Sequence, residues 1–228
     1  MLDKINPKII IAIIALVVIV YGANWYMDKS EREALANMTV AEKKARFIDI
    51  VVPAVDKVYA DLTAKFEETK VLIAKDPNSE KLVKMREEYR ADNNKELLAA
   101  LKPHAKSVAI AQAAMESSWA TSRFTRKANN LFGVWSFDED EPRMAAGESR
   151  GEKTIYVKKY SSVEASVADY YRTLARGHAY DGFRAEKMRS NDPFKLVKNL
   201  DSYSEKGHLY GEELTDIIKF NKFTKFDD

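Results

Sequence analysis

From Ile9 to Met27 the chain runs for 19 residues without a charged side chain, and the stretch IIIAIIALVVIV inside it is wholly apolar. As a helix rising ~1.5 Å per residue it would span roughly 28 Å, about the thickness of bilayer hydrocarbon. That length and composition predict a transmembrane helix. Lys4 and Lys8 precede the run, and Asp28, Lys29 and Glu31 follow it. Tyr21, Trp25 and Tyr26 fall where an aromatic belt would sit on the far side. Lysines ahead of the run favour an N-in, single-pass protein of the inner (cytoplasmic) membrane, with everything after it in the periplasm. The rival reading is a cleaved signal peptide. It fits less well, because the best cleavage pair, Tyr21 and Ala23, puts a bulky residue where a small one is needed.

The chain has 228 residues, room for one anchor and one globular domain of ordinary size. Its 37 basic and 35 acidic residues nearly cancel, and no basic stripe interleaved with aromatics appears, so nucleic acid is a poor partner. There is no cysteine, which removes disulfides, thiolate metal sites and a cysteine nucleophile. The three histidines, His104, His178 and His208, form no ligand pair. Structural or surface roles suit them better than metal or base duty. No metal and no cofactor is expected.

Beyond the anchor, residues 28–42 read as a solvated spacer. Phe47, Ile50, Val51, Val55, Val58 and Leu62 then recur at three- and four-residue steps, an amphipathic helix with a kink or break expected at Pro53. Glu80 to Leu101 reads as a further helix, weakened around Ala91-Asp92-Asn93. Pro103 suits the start of the next helix, Val108 to Trp119, with Ser107 as its N-cap. Phe137 to Lys153 looks irregular, and Thr154-Ile155-Tyr156-Val157 is a short β-prone run. Ser162 should cap a helix reaching Leu174, and short helices should fill the rest. The fold class expected is mainly α with a small β lobe. The divisions expected are 1–28 for the cytoplasmic tip and anchor, 29–102 for a helical segment, and 103–228 for the catalytic domain.

The chemistry concentrates in residues 109–137, AIAQAAMESSWATSRFTRKANNLFGVWSF. On a helical wheel Val108, Ala111, Met115 and Trp119 make an apolar stripe, with Gln112 and Glu116 along its edge. A carboxyl half-buried there, with no lysine or arginine three or four positions away, should have a raised pKa. A general acid that protonates a glycosidic oxygen needs that property. A buried ion pair or a helix cap would explain Glu116 equally well on geometry alone. Trp119, Phe132, Trp135 and Phe137 offer flat rings for sugar faces, and Gln112, Asn129 and Asn130 offer amides for hydroxyl and acetamido groups. The bland alternative for such rings is plain core. Asn129-Asn130 ahead of Leu131-Phe132-Gly133 reads as a turn, with Gly133 free to take positive φ.

This segment resembles the glucosaminidase family of peptidoglycan hydrolases, whose pattern is AQAA-x-ES-GWG-x-S followed by NNLFG. AQAAMESSWATS and NNLFG match it here, with Glu116 in the place of the family's catalytic glutamate. RFIDIVVPAV at 46–55, YSSVEASVADYYRTL at 160–174, AYDGFR at 179–184 and YSEKGHLYGEEL at 203–214 resemble its Bax-like branch. The resemblance covers roughly residues 45–225. It implies a lysozyme-like helical fold with a β lobe. It also implies hydrolysis of the β-1,4 bond after N-acetylglucosamine in glycan strands. Tyr203 takes the place of a tyrosine near the sugar site, while Tyr210 reads as packing.

Two departures stand out. The family's GWG is Ser118-Trp119-Ala120 here, and the position that often holds its second acid on the β lobe falls at Tyr156. Glu148 and Glu152, just upstream, are the candidates for that second acid. A lytic transglycosylase, which also uses one glutamate in an ES dipeptide, is a second reading, although NNLFG stands where those enzymes carry a Gly-Leu-Met-Gln-like motif. A non-catalytic wall-binding or scaffold protein is a third. A tethered hydrolase needs restraint, and the helices at 45–101 would supply the surface for a regulatory protein partner or partly cover the cleft.

Overall fold

The computed structural model describes residues 7–150 and 153–227, without the side chains of 7, 148–150 and 153. Its contacts divide the chain into two compact units, Met1–Lys43 and Lys44–Asp228. In the first, α1 (Pro7–Asn37) carries the apolar run and continues ten residues past Met27. The polar half expected to be a spacer is therefore helical to Asn37, with Lys29–Glu33 and Arg32–Asp28 as i,i+4 pairs. The described part, Lys8–Asn37, is long and apolar enough to cross a membrane, with a mean hydropathy of 2.3 over its best window. Thr39 and Glu42 then form a reciprocal capping box. The Thr39 N–H donates to the Glu42 carboxylate at 2.7 Å, and the Glu42 N–H donates to Thr39 Oγ1 at 3.2 Å.

That box starts α2 (Val40–Lys75), which is continuous through Pro53. Of the kink or break expected there, the break does not occur. Pro53 and Asp49 both face solvent, so water can serve the Asp49 carbonyl that loses its helical donor. The opposite face buries Phe47, Val51, Ala54, Val55 and Val58. The weak point near residue 91 is real. Helix α3 (Glu80–Tyr89) ends on Arg90 in the left-handed region, and Asn93 caps α4 (Asn94–Leu101) by accepting from the Glu96 N–H.

At the centre lies α5 (Lys106–Glu116), whose residues Ser107 to Ala114 are all buried. A one-sided stripe was expected, but this helix is enclosed all round. Four alanines among those eight residues keep it thin enough for neighbours to approach on every side. Ser107 sits inside the first turn rather than ahead of it. Its N–H and hydroxyl both donate to the Asp227 carboxylate, at 2.8 and 2.7 Å, so that distant acid caps the helix instead. Helix α5 packs on α10 (His208–Asn221) and on the 3₁₀ turn Phe223–Phe226.

Helix α6 (Arg123–Ala128) leads to the β lobe, an antiparallel pair of β1 (Arg143–Arg150) and β2 (Lys153–Lys158) with an irregularity between Ala145 and Ser149. Strand β1 lies in the stretch expected to be irregular. Arg123 ties α6 to the lobe by donating to the carbonyls of Ala145 and Ala146, at 2.8 and 2.6 Å. Helix α7 (Val163–Arg176) is capped by Ser162, which accepts from the Ala165 N–H at 3.2 Å. Then come α8 (Asp181–Arg189), α9 (Pro193–Leu196) and α10, joined by 3₁₀ turns. The result is mainly helical with one small β lobe, as expected.

Candidate active site

Helix α5 ends at Glu116, one turn earlier than expected, because Ser118, Trp119 and Ala120 all take left-handed backbone at φ 52°, 61° and 58°. These are the three residues at the family's GWG, and the two glycines of that pattern suit two left-handed positions. Ser117 secures the turn: its hydroxyl donates to the Ala113 carbonyl and accepts from the Ala120 N–H at 2.8 Å. From α2, Arg46 Nη1 donates to the Ala120 carbonyl at 3.1 Å. The carboxyl of Glu116 thus stands at the end of a rigid buried helix rather than on a loop.

Glu116 is half-buried, and Tyr210 of α10 donates its phenol proton to Glu116 Oε1 at 2.8 Å. Burial pushes the Glu116 carboxyl above the ordinary carboxylate range. The Tyr210 hydrogen bond and the Lys206 charge oppose that shift, and Glu213 adds to it. Lys206 is itself paired with Glu213 at 2.7 Å. Burial and then the Glu116 charge hold the Tyr203 phenol well above its usual value. The Tyr203 ring stacks on that of Tyr210, with centroids 5.4 Å apart and planes 14° from parallel. Tyr210, read from sequence as packing, therefore touches the acid directly. Its position seven residues after Tyr203 in the matched segment YSEKGHLYGEEL was the one available signal.

The expected sugar-binding residues separate into two groups. Gln112 is fully buried, with both ends of its amide engaged: Nε2 donates to Tyr210 OH at 3.0 Å and Oε1 accepts from Tyr170 OH at 2.6 Å. It orients Tyr210 and cannot reach a ligand. Asn130 is likewise buried, donating to the Val134 and Lys158 carbonyls and accepting from the Val134 N–H, all at 2.9–3.0 Å. Phe132 is buried and stacked on Tyr170 at 4.1 Å. Trp119 packs edge-on against Phe47 of α2 at 5.2 Å, with Lys44 over its ring. Asn129, in the left-handed region at φ 50°, caps α6 and donates to the Tyr160 carbonyl at 3.0 Å. Trp135, 40 % exposed, bridges to Val157 of β2 beside Phe137, which is 85 % exposed, so the open rings lie on the β-lobe side.

Glu148 lies in β1, but its side chain is outside the described residues, as is all of Glu152. Tyr156, where the resemblance was expected to place the family's second acid, is covered by the Arg143 guanidinium at 4.2 Å. Among the described residues no group of three or more His, Asp or Glu gathers to hold a metal ion. A cavity of about 480 Å³ lies between α4, α7 and the end of β2, and Glu116 does not line it. Its two carboxylates, Glu141 and Asp169, are both held by Lys158, at 3.5 and 3.4 Å. Glu116, with its raised pKa, is the better candidate for acid chemistry.

Residues 91–223 match the family described as Glucosaminidase, mannosyl-glycoprotein endo-beta-N-acetylglucosaminidase. The chain is 31 % identical over 122 residues to Protein bax of Escherichia coli, an alignment covering 51 % of this chain and 42 % of that protein. It is 39 % identical over 80 residues to the exo-glucosaminidase LytG of Bacillus subtilis, covering 33 % of this chain and 28 % of that protein. The chain thus spans less than half the length of either relative. Among solved structures, the catalytic domain of the autolysin Auto from Listeria monocytogenes superposes with a TM-score of 0.52 at 19 % identity. That match covers 88 % of this chain and 97 % of that one, and it shows the same lysozyme-like fold.

Proposed function

The chain belongs to the glucosaminidase family of peptidoglycan hydrolases, and from that premise we propose that it cleaves the glycan strands of the cell wall with Glu116 as general acid. The bond is the β-1,4 linkage after N-acetylglucosamine. The observation that carries this reading is the Glu116 carboxyl itself. It is half-buried at a rigid helix end, its pKa is raised, and one oxygen is held by Tyr210. A carboxyl that keeps its proton above the usual carboxylate range can hand it to the glycosidic oxygen as the bond breaks.

Glu148 or Glu152 on the β lobe is our candidate for the second carboxylate, guiding the water that completes hydrolysis. The substrate's own acetamido group is the alternative for that step. Tyr203 lines the acid, and the Trp135 and Phe137 rings supply faces for the sugars. Residues 103–228 carry the catalytic part, behind the helical segment 29–102. Helix α1 anchors the protein in the membrane, N-terminus inside, so that the site works on the wall side. Protease added to intact spheroplasts should then remove the domain, and protection until lysis would overturn the topology.

Replacing Glu116 by Gln keeps the size and the hydrogen bond from Tyr210 but removes the transferable proton. Activity on whole peptidoglycan, read by gel overlay, should fall by ~10²–10⁴-fold. Products of the unaltered protein, reduced with borohydride and weighed by mass spectrometry, should end in reducing N-acetylglucosamine. Anhydromuramic ends would establish the lytic transglycosylase reading, and reducing muramic ends would mean a different bond. Early products of many lengths mark internal cleavage, while steady release of small units marks the exo mode named for LytG. A fully active Glu116→Gln protein would falsify the assignment of the acid.

A further inference from the structure

Behind Glu116 runs an unbroken chain of buried hydrogen bonds contributed by four parts of the fold. Tyr210 OH of α10 donates to Glu116 Oε1 at 2.8 Å, and Gln112 Nε2 of α5 donates to Tyr210 OH at 3.0 Å. Tyr170 OH of α7 donates to Gln112 Oε1 at 2.6 Å, and His104, in the segment before α5, places Nε2 at 2.9 Å from Tyr170 OH. His104, Tyr170, Gln112 and Tyr210 are each at most 1 % exposed, so water does not substitute for a missing partner.

Counting protons along this chain leaves two concerted directions, and the first runs from His104 toward Glu116. A phenol has one proton to give. Tyr210 gives its proton to Glu116 and must receive from the Gln112 amide N–H. The amide oxygen of Gln112 then faces Tyr170, which donates to it and must receive in turn from His104. In this direction His104 carries its proton on Nε2.

The opposite direction is also self-consistent. With Nε2 of His104 bare, Tyr170 donates to the imidazole, and the Gln112 amide turns over. Tyr210 then donates to Gln112, and Glu116 keeps a proton on Oε1, pointed at Tyr210 and away from any sugar. Intermediate arrangements leave two buried donors or two buried acceptors facing each other, which is expensive at each site. The tautomer of a histidine four hydrogen bonds away thus decides which carboxyl oxygen bears the proton.

We propose that His104, Tyr170 and Gln112 are positioning residues: the Nε2–H of His104 sets the direction that keeps Glu116 Oε1 an acceptor and leaves the acid's proton on Oε2. This deepens the general-acid reading of Glu116 and rests on it. The surroundings hold His104 neutral, so its tautomer is what is at issue. Its ring lies 4.4 Å from that of Tyr171 and 5.1 Å from that of Phe183. Burial, and then the Lys187 charge from α8, push its pKa well below the ordinary value. Lys206 and Glu213 are the charged groups acting on Glu116 at the other end.

The test uses the full chain in detergent micelles and begins with a measurement that needs no turnover. Histidine ¹⁵N spectra, with His104 assigned by its loss in His104→Gln, should show a neutral ring protonated on Nε2 at pH 6–8. An Nδ1–H tautomer or an imidazolium there overturns the proposal. Next, ¹³C titration of the Glu116 carboxyl compares three variants. His104→Phe and Tyr170→Phe remove the directing groups, so Tyr210 shares its proton between Gln112 and Glu116. The Glu116 pKa should then rise and kcat should fall about tenfold with little change in KM, the worth of one buried hydrogen bond. His104→Gln still offers an N–H to Tyr170 and should restore both readouts.

Folded Phe variants with the wild-type Glu116 titration and kcat overturn the proposal. If the Phe variants fail to fold, the wild-type tautomer and the His104→Gln titration decide. Should the unaltered protein prove inactive on peptidoglycan, the general-acid reading fails on that assay alone, while the tautomer and titration still report on the network.

Discussion

Ser118 is the place where this chain departs from its family at a measurable energetic cost, and Ser118→Gly should make the protein more stable. Ser118 is exposed and sits at φ 52°. A non-glycine residue in the left-handed region loses roughly 1–2 kcal/mol to the clash of Cβ with its own carbonyl. Glycine removes that term but gives the unfolded chain extra freedom, which takes back about 0.4–1 kcal/mol. The hydrogen bond that Thr121 Oγ1 donates to the Ser118 carbonyl at 2.7 Å involves only the backbone of Ser118, so it survives. The net gain is about 0.5–1 kcal/mol, or ~1–4 °C in Tm for a domain of this size. Thermal melts followed by circular dichroism, on the full chain in micelles, should resolve it. Ala120→Gly makes a useful contrast: the same backbone relief at φ 58° is offset by a fully buried methyl worth about 1 kcal/mol, so Tm should hardly move. Lys81→Gly, on the exposed face of α3, should lose about 1 kcal/mol by ordinary helix propensity. If Ser118→Gly were destabilised alongside Lys81→Gly, the left-handed turn after Glu116 would be wrong.

Glu116→Gln should melt higher than the parent at pH 7. The folded pKa of Glu116 is raised, so its favourable contribution is complete below the ordinary glutamate value of 4.5 and is lost as pH rises through the folded value. The advantage of Gln should therefore shrink toward pH 4, and a pH-independent difference in Tm would refute the linkage. Lys187 is buried, donates to the Ala100 carbonyl at 3.3 Å, and has its pKa pushed down to about 7 by burial, then by Arg184 and Lys102. Stability tied to it is present above 10.5 and is lost as pH falls through about 7, so Lys187→Met should raise Tm more at pH 6 than at pH 9.5. Asn130→Ala removes two hydrogen bonds to the Val134 backbone and one to the Lys158 carbonyl of β2, and urea unfolding should show a loss of ~2–3 kcal/mol; a loss under about half a kcal/mol would mean the clamp is idle.

Much of the architecture was legible because it rests on local rules. The apolar run gave α1, Ser162 gave the start of α7, and Ala91-Asp92-Asn93 gave the break between α3 and α4. What failed depended on distant partners. Pro53 stays helical because its lost hydrogen bond faces solvent, and Ser107 lost the capping role to an aspartate 120 residues away. Strand β1 escaped because MAAGES has little intrinsic strand preference, and pairing with β2 decides its state. The position of Glu116 at the end of α5 was readable. The surroundings of the neighbours expected to bind sugar were less so, since a helical wheel cannot tell an edge position from a fully enclosed one. Gln112 and Asn130 carry amides that suit sugars equally well as they suit buried backbone, and only packing separates the two. Tyr170 and His104 join the site through side chains 58 and 66 residues apart in sequence from their partners, a separation no spacing rule reaches.

The cap on α5 also has a consequence in time. Ser107 waits for Asp227, 120 residues further along, and Glu116 waits for Tyr210, 94 residues further along. At ~5–20 residues per second of synthesis, the first of these intervals is roughly 6–24 s. Throughout it the helix that carries the acid has an open first turn, and for most of it the carboxyl has no phenol to hold one oxygen. On a growing chain both ends of α5 therefore wait for partners from distant parts of the sequence, so the helix that carries Glu116 emerges well before the contacts that hold Glu116 in place.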